Sequence, residues 1–475
     1  MLNLLILSQH FYPSPAVGAK RISELACRLR DLGWRVTVVT APADRVPELV
    51  DRIRGIEVLD VPRPRKLYPL LAYWPKHLWA LLRVRRGQRA AEGEAAVAIS
   101  VPAQPTTGQV QRGSQLLAWL KRNYHALELT IDDSKLWSFR ALLRALGIRR
   151  RFDWIISTGP PNSVHVAARV MAGATGARWI MDLRDPWVCN HTWIDREKSD
   201  SALRALLERR LERNCAARAD YVTLASPGIG RGLQARMPEL AGKFRLILNG
   251  FDGDMASPAQ AQGRLRLLYA GTLYLNRNPF PLLEALRYLV SEPGVDRRHV
   301  SFTLLGGCER WNGQDVMAWV GRAGLEDVVQ VRPPVPPKQA AMAMEQAEVL
   351  VNFAQGQPDQ IPAKVYDYLA TQREILLIAE NESDSARITR ACGAGRVVEP
   401  HDTDALRRTL RELYQHYVMQ ARPHTPNADR IRTYSREYQN RMFIELLTAV
   451  ADTMSASDGA TGTLANSGHR DRTGS

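Results

Sequence analysis

The sequence contains no long apolar run and few cysteines, and both shortages narrow what the chain can be. No eighteen consecutive apolar residues occur, so no membrane-spanning helix is predicted. The five cysteines are far apart and form no CxxC pair, which argues against a zinc site or a disulfide framework and predicts a reducing, cytoplasmic environment. The opening MLNLLILSQHFYPSP lacks a basic leader and a small-residue cleavage site, so we interpret it as a buried strand rather than a signal peptide.

Acidic residues are scarce relative to basic ones. Lys and Arg number 64 against 49 Asp and Glu, which gives a formal net charge of +15. Such a charge favours anionic partners, among them nucleic acid, phospholipid headgroups and diphosphate ligands. Because no helix-turn-helix, zinc or RNA-recognition pattern is present, nucleic acid is not an expected partner.

Strand-like and helix-like segments alternate along most of the chain. LLILS (4–8) is typical of a buried strand, RISELACRLRDLG of a helix ended by Gly33, and WRVTVVTA of a second strand; the same order repeats from FDWIISTG (152–159). This alternation predicts an α/β fold with parallel sheets covered on both faces. It lapses at NGFDGDMASPAQAQG (249–263) and resumes at LRLLYAG (265–271), which predicts two Rossmann-like domains, residues 1–250 and 251–430, facing each other across a crevice.

Three stretches fall outside this pattern. Residues 62–150 form a predicted insertion in the first domain, and within it residues 62–90 interleave Arg and Lys with Tyr and Trp. That composition suits an anionic membrane surface, and it suits a solvated basic loop equally well. Residues 431–453 are predicted to form a C-terminal helix, and the low-complexity residues 454–475 are predicted to be disordered.

The stretch PDQIPAKVYDYLA (358–370) follows a predicted strand and is the first candidate site. Pro362 is expected to start a helix, whose free N–H groups and dipole suit a phosphate or diphosphate. Lys364 would add a positive charge there. Asp367 on the same helix face can accept hydrogen bonds from a ribose, and Asp359 can hold the hydroxyls of a sugar. The alternative is a surface turn in which Lys364 and Asp367 form an ordinary ion pair.

These segments together resemble the retaining GT-B glycosyltransferases, in particular glycosyltransferase family 4. That family carries two acidic residues eight positions apart in its second domain, usually glutamates, and here the pair is Asp359 and Asp367. SQHFYPSPAVGAKRISELACRLRDLGWRVTVVT is similar to the family's first strand, Gly loop and helix. NGFD (249–252) and LLYAGTLYLNRNPFPLLEAL are similar to the lead-in and the opening of its donor domain. The matches extend over roughly residues 1–450.

The resemblance implies roles for individual residues. Gly18, Gly271, Ile361 and Pro362 fall in segments that bind the donor. The family often has an arginine directly after the glycine that corresponds to Gly271; Thr272 stands there in this chain, and Arg277 is the best substitute as a diphosphate-binding cation beside Lys364.

In the first domain, MDLRDPW (181–187) ends an apolar strand and contains Asp182, Arg184 and Asp185. Related glycosyltransferases of surface polysaccharides carry a similar segment where other members have a histidine, so Asp185 is the candidate for activating the acceptor, its pKa tuned by Arg184 and by burial. The alternative is a structural Asp–Arg pair that fixes the loop. His165, on an apolar helix face, is interpreted as a packed core residue.

The resemblance implies transfer of a sugar from a nucleotide-sugar to the hydroxyl of a saccharide or lipid-linked acceptor, with retention, in cell-surface polysaccharide, lipopolysaccharide or exopolysaccharide biosynthesis. No metal and no cofactor other than the nucleotide-sugar co-substrate are expected, and the expected location is the cytoplasm or the inner face of the plasma membrane. A nucleotide-sugar epimerase and a non-catalytic GT-B scaffold remain open as alternatives.

Overall fold

Two parallel β-sheets, one in each half of the chain, form the frame of the protein. The computed structural model describes residues 1–43, 46–64, 130–188, 202–257 and 262–461. The first sheet has the strand order β3-β2-β1-β4-β5-β6-β7, with β1 (Asn3–Leu7), β2 (Arg35–Thr40), β3 (Glu57–Asp60), β4 (Trp154–Gly159), β5 (Arg178–Leu183), β6 (Tyr221–Leu224) and β7 (Phe244–Leu246). The second has the order β12-β9-β8-β13-β14-β15, with β8 (Leu265–Ala270), β9 (Val300–Leu305), β12 (Val329–Arg332), β13 (Val349–Phe353), β14 (Glu374–Ile378) and β15 (Gly395–Val398); β10 (Arg310–Trp311) and β11 (Gln314–Asp315) form a separate hairpin.

Helices cover both faces of each sheet. Among the described residues of the first half they are α1 (Val17–Asp31), α2 (Pro47–Arg52), α3 (Lys135–Leu146), α4 (Ser163–Thr175), α5 (Ala202–Arg218) and α6 (Pro227–Arg236). In the second half they are α7 (Phe280–Leu289), α8 (Val316–Arg322), α9 (Pro337–Gln346), α10 (Ala363–Thr371), α11 (Asp384–Ala391), α12 (Thr403–Tyr414), α13 (Ala428–Arg432) and α14 (Arg436–Thr461).

The central strands read as continuous apolar runs because both of their faces are covered. All five residues of β13 and all six of β4 are buried, as expected for a parallel sheet packed between helices. Each sheet therefore has an apolar core on either face. The predicted α/β class with two Rossmann-like domains is confirmed.

The strand order reverses between β1 and β4 in the first sheet and between β8 and β13 in the second. In doubly wound sheets ligands bind at such reversal points, outside the carboxyl ends of the strands. The loops after β1, β4, β8 and β13 therefore define the crevice. Asp182 is the penultimate residue of β5; every other candidate site residue belongs to one of these loops, to the loop after β5, or to a helix that follows one of them.

The chain passes between the two halves twice, and the two passages lie side by side. Phe251 and Ser435 form an isolated parallel bridge, and the Arg436 amide donates to the Phe251 carbonyl at 2.8 Å. Helix α14 then returns to the first domain, where Phe443 and Leu447 pack into the same core as Leu4. Since α14 extends to Thr461, the helix predicted to end at residue 453 is longer than expected; residues 462–475 lie outside the described residues.

Helix α3 corrects the prediction that residues 62–150 are wholly an insertion. Its Trp137 and Ala141 are buried in the first domain's core, and the Trp137 indole donates to the Val61 carbonyl at 2.9 Å. The end of that stretch is thus part of the domain. Residues 65–129, which contain most of the basic and aromatic positions, lie outside the described residues. Across the described part of the chain, no helix combines the length and apolar character needed to cross a membrane.

Candidate active site

The start of helix α10 is the centre of the second domain's half of the crevice. Strand β13 leads into a loop, and Pro362 directly precedes the helix, as predicted; its φ of −55° suits a residue that enters a helix. Val365, Tyr366, Tyr368 and Leu369 are buried and fix the helix on its sheet. No side chain of the described residues caps the helix start, so its first amides keep the capacity to bind an anion.

Lys364, in the first turn of α10, lies across the backbone of Gly271 at the end of β8. A Cβ atom at Gly271 would stand 2.6 Å from Cε of Lys364, so a residue with a side chain could not occupy this position without displacing the lysine. Gly271 is itself in close contact with the next loop, because a Cβ at Gly306 would stand 2.1 Å from the Gly271 carbonyl oxygen. The two glycines bring the loops after β8 and β9 together beneath the amine.

Two cations, Lys364 and Arg277, lie close together at the start of α10. The Arg277 guanidinium stacks 4.1 Å from the Tyr274 ring centroid and donates to the Thr272 carbonyl at 3.3 Å, and its Nε has no hydrogen-bond partner among the described residues. Burial lowers the pKa of Lys364, Asp367 opposes this, and the charge of Arg277 lowers it further. Two neighbouring, partly desolvated cations disfavour each other, and a bound anion would relieve that repulsion.

Asp359 and Asp367 have different surroundings. Asp367 is open to the crevice; desolvation raises the pKa of its carboxyl, and Lys20 of α1 and Lys364 oppose that rise. Asp359 instead contacts the first domain: its carbonyl accepts a hydrogen bond from Ser226 Oγ at 2.5 Å, and its carboxylate lies 3.2 Å from Arg231 Nη2 on α6. Ile361, two residues further on, is buried in the domain core.

Arg231 joins Asp359 to a second carboxylate that the sequence did not single out. Asp384, at the start of α11, is buried; it lies 3.0 Å from Arg231 Nη2 and accepts a hydrogen bond from the Gly228 amide at 2.6 Å. Because Gly228 belongs to the first turn of α6, a carboxylate here also interacts favourably with the helix dipole. The contact holds the two domains together beside the crevice.

In the first domain, Asp182 is fully occupied by structural contacts. It accepts hydrogen bonds from Arg21 Nη2 at 2.9 Å, Thr158 Oγ1 at 2.8 Å and Thr223 Oγ1 at 2.7 Å. Burial works against ionisation, yet the Arg21 guanidinium and these donors hold the pKa of Asp182 below its usual value. Arg21 also donates to the carbonyls of Ile247 and Leu248, so the pair links α1, β5 and the start of the crossing to the second domain.

Arg184 is likewise structural. Its guanidinium donates to the carbonyls of Gly18, Gly159 and Pro160, at 3.0 Å for Gly159 and 2.6 Å for Pro160. A Cβ at Gly18 would stand 2.6 Å from Arg184 Nη1. Gly18 is therefore needed for the close approach of Arg184, which ties the start of α1 to the loop after β4. Both residues thus have structural contacts, but the Asp–Arg pair within the segment that the alternative predicts is not seen among the described residues: Asp182 pairs with Arg21, and Arg184 binds carbonyls.

Asp185 differs from its neighbours because it reaches the opposite domain. Its carboxylate accepts a hydrogen bond from Gln360 Nε2 at 3.0 Å, and Gln360 lies in the loop before α10. Burial raises the pKa of Asp185, while Arg184 and the bond from Gln360 lower it. A partly buried carboxylate with a raised pKa, placed at the crevice, is suited to accept a proton.

His165 is the packed core residue that its position on an apolar helix face predicted. The side chain is buried, Nδ1 lies 2.8 Å from Ser157 Oγ, and burial lowers its pKa to about 3. Ser157 also accepts a hydrogen bond from the Trp179 indole at 2.8 Å. The ring therefore stays neutral and serves the packing beneath the crevice loops.

Comparison with known proteins supports the architecture. No family model matches the sequence, and neither does any curated protein. Among solved structures, the chain is similar to HepE from Anabaena in complex with UDP, at 13% identity and a TM-score of 0.55 over 94% of this chain and 100% of that one; a complex of HepE with UDP-glucose also matches.

Two further solved structures show the same likeness. The apo form of WaaB, a lipopolysaccharide outer core galactosyltransferase, has 12% identity and a TM-score of 0.55 over 94% of this chain and 99% of its own. An α,α-trehalose 6-phosphate synthase from Burkholderia multivorans has 13% identity and a TM-score of 0.57 over 99% and 100%. At such low identities the likeness establishes the architecture alone, and the chain has the GT-B fold.

Proposed function

We propose that the protein is a glycosyltransferase that moves a sugar from a nucleotide-sugar to an acceptor hydroxyl. The observation that carries this proposal is the pair Lys364 and Arg277 at the start of α10, where burial and mutual repulsion lower the pKa of Lys364. A nucleoside diphosphate bound there would neutralise both cations and accept hydrogen bonds from the first amides of the helix. The UDP and UDP-glucose complexes of HepE, which shares the fold, support a nucleotide-sugar donor.

The chemistry follows from the charge that develops in the reaction. Cleavage of the glycosidic bond to the nucleotide leaves negative charge on the diphosphate, which Lys364 and Arg277 stabilise from fixed positions. Asp367, open to the crevice, holds the ribose hydroxyls, and Asp185 on the facing domain accepts the proton of the acceptor hydroxyl. Asp359 orders the loop before α10 through its contacts with Ser226 and Arg231.

Three finer features belong to the proposal. The anomeric configuration is retained, as the resemblance to family 4 implies. The acceptor is a saccharide or lipid-linked sugar of a cell-surface polysaccharide, a class supported by the likeness to the lipopolysaccharide galactosyltransferase WaaB. No divalent cation is required, because Lys364 and Arg277 already supply positive charge at the diphosphate, so turnover should be unchanged by EDTA.

Thermal unfolding in the presence of UDP-, GDP-, dTDP- and ADP-sugars tests the proposal directly. A ligand that binds only the folded protein raises its stability by RT ln(1 + [L]/Kd), about 2.7 kcal/mol at a concentration of 100 Kd. We expect one nucleotide to raise the unfolding midpoint of the wild type and of the Lys338→Ala control, an exposed lysine on α9. Lys364→Ala should lose that increase.

The outcomes separate the proposal from its alternatives. A shift that survives Lys364→Ala would place the diphosphate elsewhere. The absence of a shift with every donor would favour a non-catalytic scaffold. Binding followed by epimerisation of the free nucleotide-sugar, with no transfer to an added saccharide, would favour the epimerase.

A further inference from the structure

Helix α3 carries a stripe of large apolar side chains on its outer face. Leu136, Phe139, Leu143 and Leu146 are exposed by 44%, 55%, 54% and 43%. Their spacing of three, four and three residues places them on one side of the helix. The opposite side, with Trp137, Ala141, Leu142 and Ala145, is buried in the domain core. A surface helix normally presents polar residues outward, so both faces of α3 are built for apolar contact.

Positive charge borders this stripe and acidic residues are absent from it. Arg140 and Arg144 are exposed on α3, and Arg149 and Arg151 are exposed just after it. No Asp or Glu occurs between residues 134 and 152. Arginine side chains are long enough to reach anionic groups while the neighbouring leucines are buried in an apolar layer. The apolar stripe and the arginines at its border therefore match a partner that has an apolar layer covered by anionic groups.

We propose that α3 docks the protein onto an anionic lipid bilayer, with the leucines and Phe139 at the boundary of the acyl chains and the arginines among the headgroups. A second copy of the chain would bring two sets of arginines together. The chain's own residues 65–129 contain ten Lys and Arg and only three Glu, so their charge does not complement the arginines of α3. Charge therefore favours an anionic bilayer over a second copy of the chain and over residues 65–129 as the partner of α3.

The position of α3 gives this docking a consequence for the crevice. Ser134, the residue before α3, accepts a hydrogen bond from Gln9 in the loop after β1 at 3.0 Å, and Ser138 Oγ of α3 lies 2.8 Å from Ser163 Oγ at the start of α4. A bilayer on the outer face of α3 would thus lie beside the first domain's side of the crevice. The docking does not depend on the proposed transferase activity, and its test does not use that activity.

Sedimentation with lipid vesicles tests the proposal. The full chain is mixed with vesicles of phosphatidylcholine alone or with phosphatidylglycerol added, at low and high salt. We expect binding to the anionic vesicles only, weakened by salt. Phe139→Ser with Leu143→Ser should reduce the partition coefficient at least about tenfold. Arg140→Gln with Arg144→Gln should reduce it about fivefold for each arginine.

Matched controls use exposed residues elsewhere. Leu32→Ser with Leu206→Ser replaces side chains that are 56% and 51% exposed, and Arg408→Gln with Arg441→Gln removes two exposed arginines; neither pair should change binding. Because all these positions are exposed, the unfolding midpoints should stay near that of the wild type. Absent binding, equal binding to neutral vesicles, or stripe variants that bind like the wild type would overturn the proposal. A dimer that the stripe variants convert to monomer, without vesicle binding, would overturn it in favour of a second copy.

Discussion

At the scale of single residues, Asp182 shows how a carboxylate at the end of a strand can be wholly structural. The Arg21–Asp182 ion pair is buried on both sides, with side chains 8% and 0% exposed. Removing one partner leaves an uncompensated buried charge, so Arg21→Met should lower the free energy of unfolding by about 3–5 kcal/mol. Urea unfolding measures this loss. The exposed ion pair of Asp429 and Arg432 provides the control, since Asp429→Asn should change the free energy of unfolding by less than about 1 kcal/mol.

The same pair predicts a dependence of stability on pH. Burial opposes ionisation of Asp182, but Arg21 and its hydrogen bonds hold its pKa below the usual value of about 3.9. A carboxyl whose pKa is lowered by folding contributes stability that is fully present above its unfolded pKa and is lost as the pH falls through its folded pKa. The wild type should therefore lose this contribution to its stability only below about pH 4. Unfolding midpoints measured across this pH range should fall less for Asp182→Asn than for the wild type, because the variant has no carboxyl to protonate at this position.

Asp185 and Gln360 predict a pH dependence of activity. Burial raises the pKa of Asp185 and the Gln360 amide opposes that rise. If Asp185 accepts the acceptor's proton, kcat/KM should fall on the acid side with an apparent pKa above about 3.9. Gln360→Ala removes a hydrogen bond to the charged form, so the acid limb should move to higher pH. Gln346→Ala, an exposed glutamine on α9, should leave the profile unchanged; an unmoved limb in Gln360→Ala would contradict the role of Gln360.

Residues of the site differ in how visible they were in the sequence. Lys364 and Asp367 follow a strand and share one helix turn, so their proximity could be predicted from local spacing. Gln360 and Asp185 are 175 residues apart, and nothing local indicates that contact. Arg21 did leave a signal, because it stands between the buried residues Ala19 and Ile22 of α1. A charged residue on the apolar side of a helix needs a buried partner, and Asp182 was available.

At the scale of elements, the start of α6 is a contact between the domains beside the crevice. Ser226 caps this helix and donates to the Asp359 carbonyl, and Gly228 donates to Asp384. Arg231, in the second turn of α6, neutralises the carboxylates of Asp359 and Asp384. This single helix start therefore orders the loop that leads to Lys364.

Arg231→Gln should weaken that contact. Among the described residues, the buried carboxylate of Asp384 would lose the Arg231 cation and keep only the Gly228 amide, so the free energy of unfolding should fall by about 1–3 kcal/mol. The donor KM should also rise, since Asp359 would be less ordered. Arg213→Gln on α5, which breaks an exposed pair with Glu239, should cost less than about 1 kcal/mol and leave the donor KM unchanged. Equal effects of the two variants would exclude a special role for α6.

The elements that were predicted and those that were missed differ in their surroundings. Strands such as LLILS and FDWIISTG are predicted because central parallel strands are apolar on both faces. Helix α3 falls within the predicted insertion, since a stretch rich in Arg and exposed leucines does not show the usual amphipathic pattern. Strand β15 (Gly395–Val398) is only four residues long and starts with a glycine at φ +155°. So short an edge strand carries little periodicity to detect.

At the scale of the whole molecule, closure of the two domains depends on a glycine. A Cβ at Gly228 would stand 2.4 Å from Asp359 Oδ1 and 2.5 Å from its Cα. Gly228→Ala should therefore separate α6 from the loop before α10, which contains Asp359. This separation should increase the radius of gyration measured by small-angle X-ray scattering and raise the donor KM.

Gly232 in the same helix is the matched control for that experiment. The nearest atom to an added Cβ there is Arg236 Nη1 at 3.3 Å, the end of a flexible side chain. Gly232→Ala should stabilise the helix by about 0.5–1 kcal/mol and leave the domains closed. If Gly228→Ala behaves like Gly232→Ala, the observed contact between α6 and Asp359 is not needed for closure.

The return of α14 to the first domain also affects how the protein can be made. Phe443 and Leu447 complete a core whose other members come from residues 4 to 247. During synthesis, the face of the first domain that Phe443 and Leu447 cover stays exposed to solvent until the entire second domain has emerged from the ribosome. The exposed face is then a natural binding site for a chaperone, and a gene fragment that stops after β7 would yield a domain prone to aggregation rather than a half-enzyme.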